Sequence, residues 1–202
     1  MKIIGLTGPT GAGKGTAAAI FQKYGIPSVD TDAVYHELLE RGGSMTHELA
    51  TAFGSHILDE NGIVDRKKLG ATVFGHENTP ELLHTLNTIT HKYVMTVTRE
   101  LLWEMEKSGV RAVLIDAPQL FEAKIEKECD IVVGVLADRD LRLSRIMARD
   151  GITRDAALRR INAQHDDNFY REACQYILKN DGDPDALEAQ IRLFLEKSEV
   201  GL

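Results

Sequence analysis

The chain has 202 residues, 43% of them hydrophobic, and a formal net charge of −7. Length and apolar content predict one domain with a sizeable core and room for a lid or an inserted subdomain. The acidic balance argues against a broad nucleic-acid-binding surface, and no uninterrupted apolar run approaches the roughly 20 residues that a membrane span needs. The two cysteines, Cys129 and Cys174, lack metal-ligand spacing and suit a reducing compartment better than a disulfide scaffold. The first residues enter a core strand directly, without the succession of a signal peptide. A soluble, cytoplasmic protein is expected.

Short apolar runs alternate with longer helical patterns, which predicts a parallel sheet covered by helices. The first run, Lys2–Thr7, leads straight into Gly8-Pro9-Thr10-Gly11-Ala12-Gly13-Lys14-Gly15-Thr16. This is G-x-x-x-x-G-K between a strand and a helix, the pattern of a phosphate-cradling loop. Glycines let the backbone curl so that successive N–H groups face a polyphosphate, and Lys14 reaches the β- and γ-phosphates. The loop from Gly11 through Ala12, Gly13, Lys14 and Gly15 to Thr16 is therefore the expected nucleotide contact. The helix that follows turns its positive dipole end to the same anion. Gly15 stands where a Ser or Thr usually ligates Mg²⁺, and a hydroxyl returns only at Thr16. A glycine-rich turn without a ligand is the bland alternative; the lysine, the length and the strand–helix context favour a nucleoside triphosphate.

A helix ended by Gly25 precedes the second predicted strand, Pro27–Asp30, which runs into Thr31-Asp32. Carboxylates at a strand's carboxyl end suit an acceptor base and a water-mediated metal contact. The alternative is that one or both only cap the following helix; spacing favours the functional reading for Asp32 and leaves Asp30 balanced between the two. About eighty residues then precede the third strand, far more than one crossover needs. Helical patterns at Asp65–Phe74 and Pro80–Ser108 fill them and predict a helical insertion at about 41–108, between core segments at about 1–40 and 109–202.

The third strand, Val110–Asp116, ends in an acid that fits either an outer-shell metal ligand or a solvated strand end. After the fourth, Asp130–Leu136, come Arg142, Arg145 and Arg149, spaced to share one helical face. They fit a clamp on the triphosphate, or a solvated face paired with Asp138, Asp140 and Asp150; the phosphate loop favours the clamp. Asn180-Asp181-Gly182 follows the fifth strand, Gln175–Leu178, and reads on its own as a turn. Pro184–Lys197 has the periodicity of a terminal amphipathic helix. The histidines at 36, 47, 56, 76, 84, 91 and 165 show no metal spacing.

In this order the motifs resemble the dephospho-CoA kinase family over nearly the whole chain. The resemblance is carried by the phosphate loop and by Gly25-Ile26-Pro27-Ser28-Val29-Asp30-Thr31-Asp32, similar to the family's aspartate-x-aspartate signature. Asp65-Arg66 with Leu69-Gly70 and Val73-Phe74, then Asp116-Ala117-Pro118-Gln119-Leu120-Phe121-Glu122, continue it, and Arg145 to Asp150 and Asn180-Asp181-Gly182 complete it. It implies an α/β P-loop NTPase sandwich of three layers around a five-stranded parallel sheet, with a helical CoA-binding subdomain and a lid at about 139–165.

The implied reaction is phosphorylation of the ribose 3′-hydroxyl of dephospho-CoA by ATP, with Mg²⁺. By position, Asp32 would be the acceptor base with Asp30 nearby, and Lys14 and the loop amides would hold the phosphates. Arg145 and Arg149 would contact phosphates from the lid side, and Asn180 would lie near the adenine. Arg66, His91, Leu120 and Glu122 would border the acceptor, and Thr16 and Asp116 would serve the metal. Three departures stand out. The loop Gly13-Lys14-Gly15-Thr16 is more like that of adenylate kinases, Thr90-His91-Lys92 stands for leucine-histidine-proline, and Gln119 replaces a leucine. A nucleoside monophosphate kinase, another small-metabolite kinase, or a nucleotide-binding module without turnover are the alternatives. No nucleic acid or membrane partner is expected, and the chain is expected to be a monomer or a weak homo-oligomer.

Overall fold

The computed structural model describes residues 1–74, 79–198 and 200; His76 lies outside them. Strands β1 (Lys2–Thr7), β2 (Ser28–Asp30), β3 (Ala112–Asp116), β4 (Ile131–Leu136) and β5 (Tyr176–Lys179) form a five-stranded parallel sheet in the order β2-β3-β1-β4-β5. All five expected strands are present, β1 with its expected ends and the others with one or both ends shifted by one or two residues. The trimmed residues still bond to the sheet. Leu114 donates to the Pro27 carbonyl at 2.8 Å, Asp130 donates to Ile3 at 2.8 Å, and Gln175 donates to Val132 at 3.0 Å.

β1 is central, with Leu6 opposite Asp116 of β3 and Thr7 opposite Gly134 of β4. From β1 the chain passes to the edge strand β2, returns to β3 beside β1, and then crosses to β4 and β5 on the other side. The carboxyl end of β1 is therefore a switch point, where open α/β sheets bind ligands. From Ile4 to Thr7, β1 is buried on both faces, as a strand covered by helices requires, and Ile4 and Leu6 are fully so.

The chain divides into two compact units. The first comprises Met1–Val29 and Met105–Leu202. It holds β1, β3, β4 and β5 with helices α1 (Lys14–Lys23), α6 (Arg139–Asp150), α7 (Arg154–Asn162), α8 (Asp167–Ala173) and α9 (Pro184–Lys197). Its core gathers Ile4, Leu6, Phe21, Leu114, Val133 and Phe194, with the Phe21 and Phe194 rings edge to face at 5.9 Å.

The second unit is Asp30–Glu104, with α2 (Thr31–Arg41), α3 (Ser44–Phe53), α4 (Arg66–Phe74) and most of α5 (Thr79–Lys107). Leu39, Met45, Leu49, Phe53, Leu69, Val73 and Ile89 form its separate core. The Asp65 carboxylate accepts the amides of Lys67 and Lys68 at 2.8 and 3.1 Å and so caps α4. Helix α5 passes unbroken through Thr90-His91-Lys92, so no helix begins where the family's proline would stand. Lys92 instead donates to Glu48 of α3 at 2.6 Å, and the Tyr93 hydroxyl donates to the same oxygen at 2.7 Å.

Among the described residues, Glu48, Asp65, Asp150 and Glu188 are held below their ordinary range by donors. Glu48 is lowered by Lys92 and Tyr93, and Asp65 by the amides of Lys68 and Lys67. Asp150 is lowered chiefly by Arg149, and Glu188 by Lys23. Their stabilisation is complete above the unfolded carboxylate range and is lost as pH falls through the lowered folded values. The urea midpoint is expected to drop below about pH 4; a midpoint that held steady or rose there would contradict these pairings.

Candidate active site

The phosphate loop joins β1 to α1, and three of its glycines have positive φ: Gly8 at 147°, Gly11 at 78° and Gly13 at 93°. A Cβ on Gly8 would run into the Val135 carbonyl oxygen of β4. Glycine is needed there for both dihedral and space.

Three consecutive carbonyls of the loop are held by side chains. Arg142 Nε donates to Thr10 O at 3.0 Å, Arg145 Nη1 donates to Gly11 O at 3.3 Å, and Asn180 Nδ2 donates to Ala12 O at 2.8 Å. In a trans peptide the N–H points opposite to the C=O it is bonded with. Pinning these carbonyls outward turns the amides of Gly11, Ala12 and Gly13 to the other side. The Ala12 amide closes the loop onto Pro9 O at 3.1 Å. The first amides of α1 have no intrahelical acceptor, and α1 starts with no side-chain cap and no acid in its first turn. An anion is the complement of this arrangement. Among the described residues the half-buried Lys14 makes no hydrogen bond or ion pair.

The arginine face of α6 divides three ways. Arg142 is buried, 4% exposed, and also donates to Asp167 at 3.2 Å; burial lowers its pKa, opposed by the Asp167 charge. Arg145 Nη1 also reaches Asn180 O at 3.1 Å. Arg149 is exposed and pairs with Asp150 through Nε and Nη2, at 2.7 and 3.0 Å. Arg160 pairs with Asp150 as well.

Asn180 is buried, and its amide is spent on the loop, which neither a plain turn nor adenine contact anticipates. A Cβ on Gly13 would collide with that amide, and Thr16 Oγ1 lies 3.8 Å from the same point. Asp116 is half-buried at the end of β3. Leu120 is fully buried, and its Cδ1 would lie 2.7 Å from a Cβ on Gly5. Glu122 Oε1 meets His165 Nε2 at 3.4 Å.

The remaining expected site residues belong to the second unit. Asp30 Oδ1 accepts the amides of Asp32 and Ala33 at 2.9 and 3.1 Å, so Asp30 caps α2. Asp32 is exposed in the first turn of that helix. Arg66, exposed, opens α4; its charge opposes the burial that raises the Tyr35 phenol pKa. His91 is half-buried on α5. Among the described residues no three His, Cys, Asp or Glu side chains cluster as a metal cage.

Comparison with known proteins decides among kinases that share such a loop. The dephospho-CoA kinase family model matches residues 2–185. The chain belongs to the dephospho-CoA kinase family. It is 36% identical to the dephospho-CoA kinase of Carboxydothermus hydrogenoformans over 197 residues, covering 98% of this chain and 94% of that protein. It is 34% identical to that of Arabidopsis thaliana over 198 residues, covering 96% and 83%. The crystal structure of TT1252 from Thermus thermophilus superposes with a TM-score of 0.83 at 31% identity, covering 100% of this chain and 98% of that one.

Within this family member, sequence reasoning passed over Gln164, which lies in the connection from α7 to α8. Its Oε1 accepts the Thr10 amide at 2.7 Å. A lone glutamine in a connection carries no local signal; only the fold brings it to the loop.

Gly15 differs from the other loop glycines. It lies in α1 without positive φ, and a Cβ there meets nothing within 4 Å. Space does not exclude a hydroxyl at this position. Gly15→Ser is expected to melt no lower than the parent, because glycine within a helix costs up to about 1 kcal/mol. Gly8→Ala is expected to lower the melting temperature and weaken nucleotide binding. Thermal melts of the two variants check this, and the reverse ranking would contradict the loop geometry.

Proposed function

We propose that the chain transfers the γ-phosphoryl group of ATP to the ribose 3′-hydroxyl of dephospho-CoA, giving CoA and ADP in the last step of CoA biosynthesis. The observation that carries this is the loop, with carbonyls held outward and Lys14 uncommitted, in a member of this family. The enzyme acts in the cytoplasm on small molecules, as a monomer or weak homo-oligomer.

In the mechanism, the amides of Gly11, Gly13, Lys14, Gly15 and Thr16 and the Lys14 ammonium bind the phosphates. Asp32 takes the proton of the 3′-hydroxyl as its oxygen attacks Pγ, and the bond from Pγ to the β–γ bridging oxygen breaks, releasing ADP. Arg66, His91, Leu120 and Glu122 border the acceptor. Arg145 steadies the loop and turns its remaining donors to the transferring group. Arg149 is held only by an exposed pair, which is worth little, so it can exchange Asp150 for phosphate.

Mg²⁺, when bound, neutralises charge on the β- and γ-phosphates. It keeps several waters and needs one or two protein ligands rather than a cage. Thr16 and the half-buried carboxylate of Asp116 would hold it, directly or through water.

Asp32→Asn is expected to bind ATP nearly as the parent does while kcat falls by about 100-fold or more. Lys14→Met is expected to lose turnover. Coupled ADP release would be followed with dephospho-CoA, AMP, CMP and shikimate, with and without Mg²⁺. Turnover with dephospho-CoA alone supports the proposal. Turnover only with a monophosphate, or no acceptor-stimulated release, would overturn it.

A further inference from the structure

The Thr10 peptide groups are gripped from both sides by residues far away in the chain. Gln164 Oε1 takes the Thr10 amide at 2.7 Å, and Arg142 Nε donates to the Thr10 carbonyl at 3.0 Å. Arg142 is itself fixed by burial and by Asp167.

Gln164 is exposed, yet its place is fixed by the next residue. The His165 ring stacks on Phe169 at 3.7 Å and 15°, and Phe169 meets Phe121 edge to face at 5.2 Å. His165 Nε2 also lies 3.4 Å from Glu122 Oε1. The connection between α7 and α8 is thus anchored to the Phe121-Glu122 turn that follows β3, and from there it reaches the loop.

A glycine-rich loop has much backbone freedom to lose when it closes on a ligand, and ordering it beforehand lowers that cost. Arg142, Arg145 and Asn180 order its carbonyls. Gln164 takes an amide, Thr10, at the edge of the cradle, and so fixes where the anion-facing amides begin. We propose that Gln164 is a positioning residue of the phosphate loop, held in register by the stack of His165 on Phe169. This rests on the assignment of the loop to ATP. Gln164 acts through the Thr10 peptide.

The test is calorimetric titration of the full chain with ATP and with ADP, comparing the parent with Gln164→Met and His165→Ala. Gln164→Met keeps the length of the side chain and removes the acceptor. One hydrogen bond corresponds to about a fivefold change in affinity. Gln164→Met is expected to weaken both nucleotides about fivefold, with the melting temperature and the KM for dephospho-CoA unchanged, and to speed hydrogen exchange at the Thr10 amide in the free protein. His165→Ala is expected to act in the same direction, and the double variant to lose no more than Gln164→Met does. Parental ATP affinity in Gln164→Met would overturn the proposal. Tighter binding would also overturn it, because Gln164 would then compete with phosphate. Lys14→Met separates the two claims: if the parent binds ATP and Lys14→Met does not, the loop assignment stands whatever Gln164→Met shows.

Discussion

The donor site depends on one constraint, the outward hold on three consecutive carbonyls of the phosphate loop. Arg142, Arg145 and Asn180 take the oxygens of Thr10, Gly11 and Ala12 in turn. Peptide planarity converts that hold into an inward set of amides. Glycines at positive φ make the turn sterically allowed, but many loops are allowed. The side-chain donors choose this one. They come from α6 and from the residue after β5, so a helix and the sheet together shape the cradle.

The same constraint reinterprets the arginine-rich face of α6. Three arginines at one helical face suggested a common task on the triphosphate. Instead the helix grades them by depth. Arg142, deepest, is buried on the loop backbone; Arg145, intermediate, spans Gly11 and Asn180; Arg149, outermost, sits in an exposed pair with Asp150. Periodicity correctly put them on one face, but depth along that face depends on what packs against it. Of the three, only Arg149 pairs with an acid of its own helix, Asp150.

β1, β3 and β4 were legible because a parallel strand covered on both faces needs a short, almost purely apolar run, whereas β2 (Ser-Val-Asp) and β5 were legible mainly from their places between helical patterns. The phosphate loop and α5 were legible for similar reasons, one from glycine spacing and the other from a long helical pattern. The order β2-β3-β1-β4-β5 was not legible, since nothing local to a strand records its neighbour. Asp30 and Asp65 illustrate a subtler limit. Each belongs to a motif of the dephospho-CoA kinase family, and each caps a helix. Asn180 and Gln164 mark the far limit, because their partners lie 168 and 154 residues away.

Asn180 is the cleanest probe of the carbonyl hold, being buried with its amide donated to Ala12 O. The direct measurement is the ATP dissociation constant of Asn180→Leu, which keeps the side chain's size and removes the donor. ATP binding is expected to weaken by about tenfold, since the loss frees a carbonyl and leaves it buried without a partner, while the protein remains folded. Unchanged ATP affinity in a folded Asn180→Leu protein would contradict it.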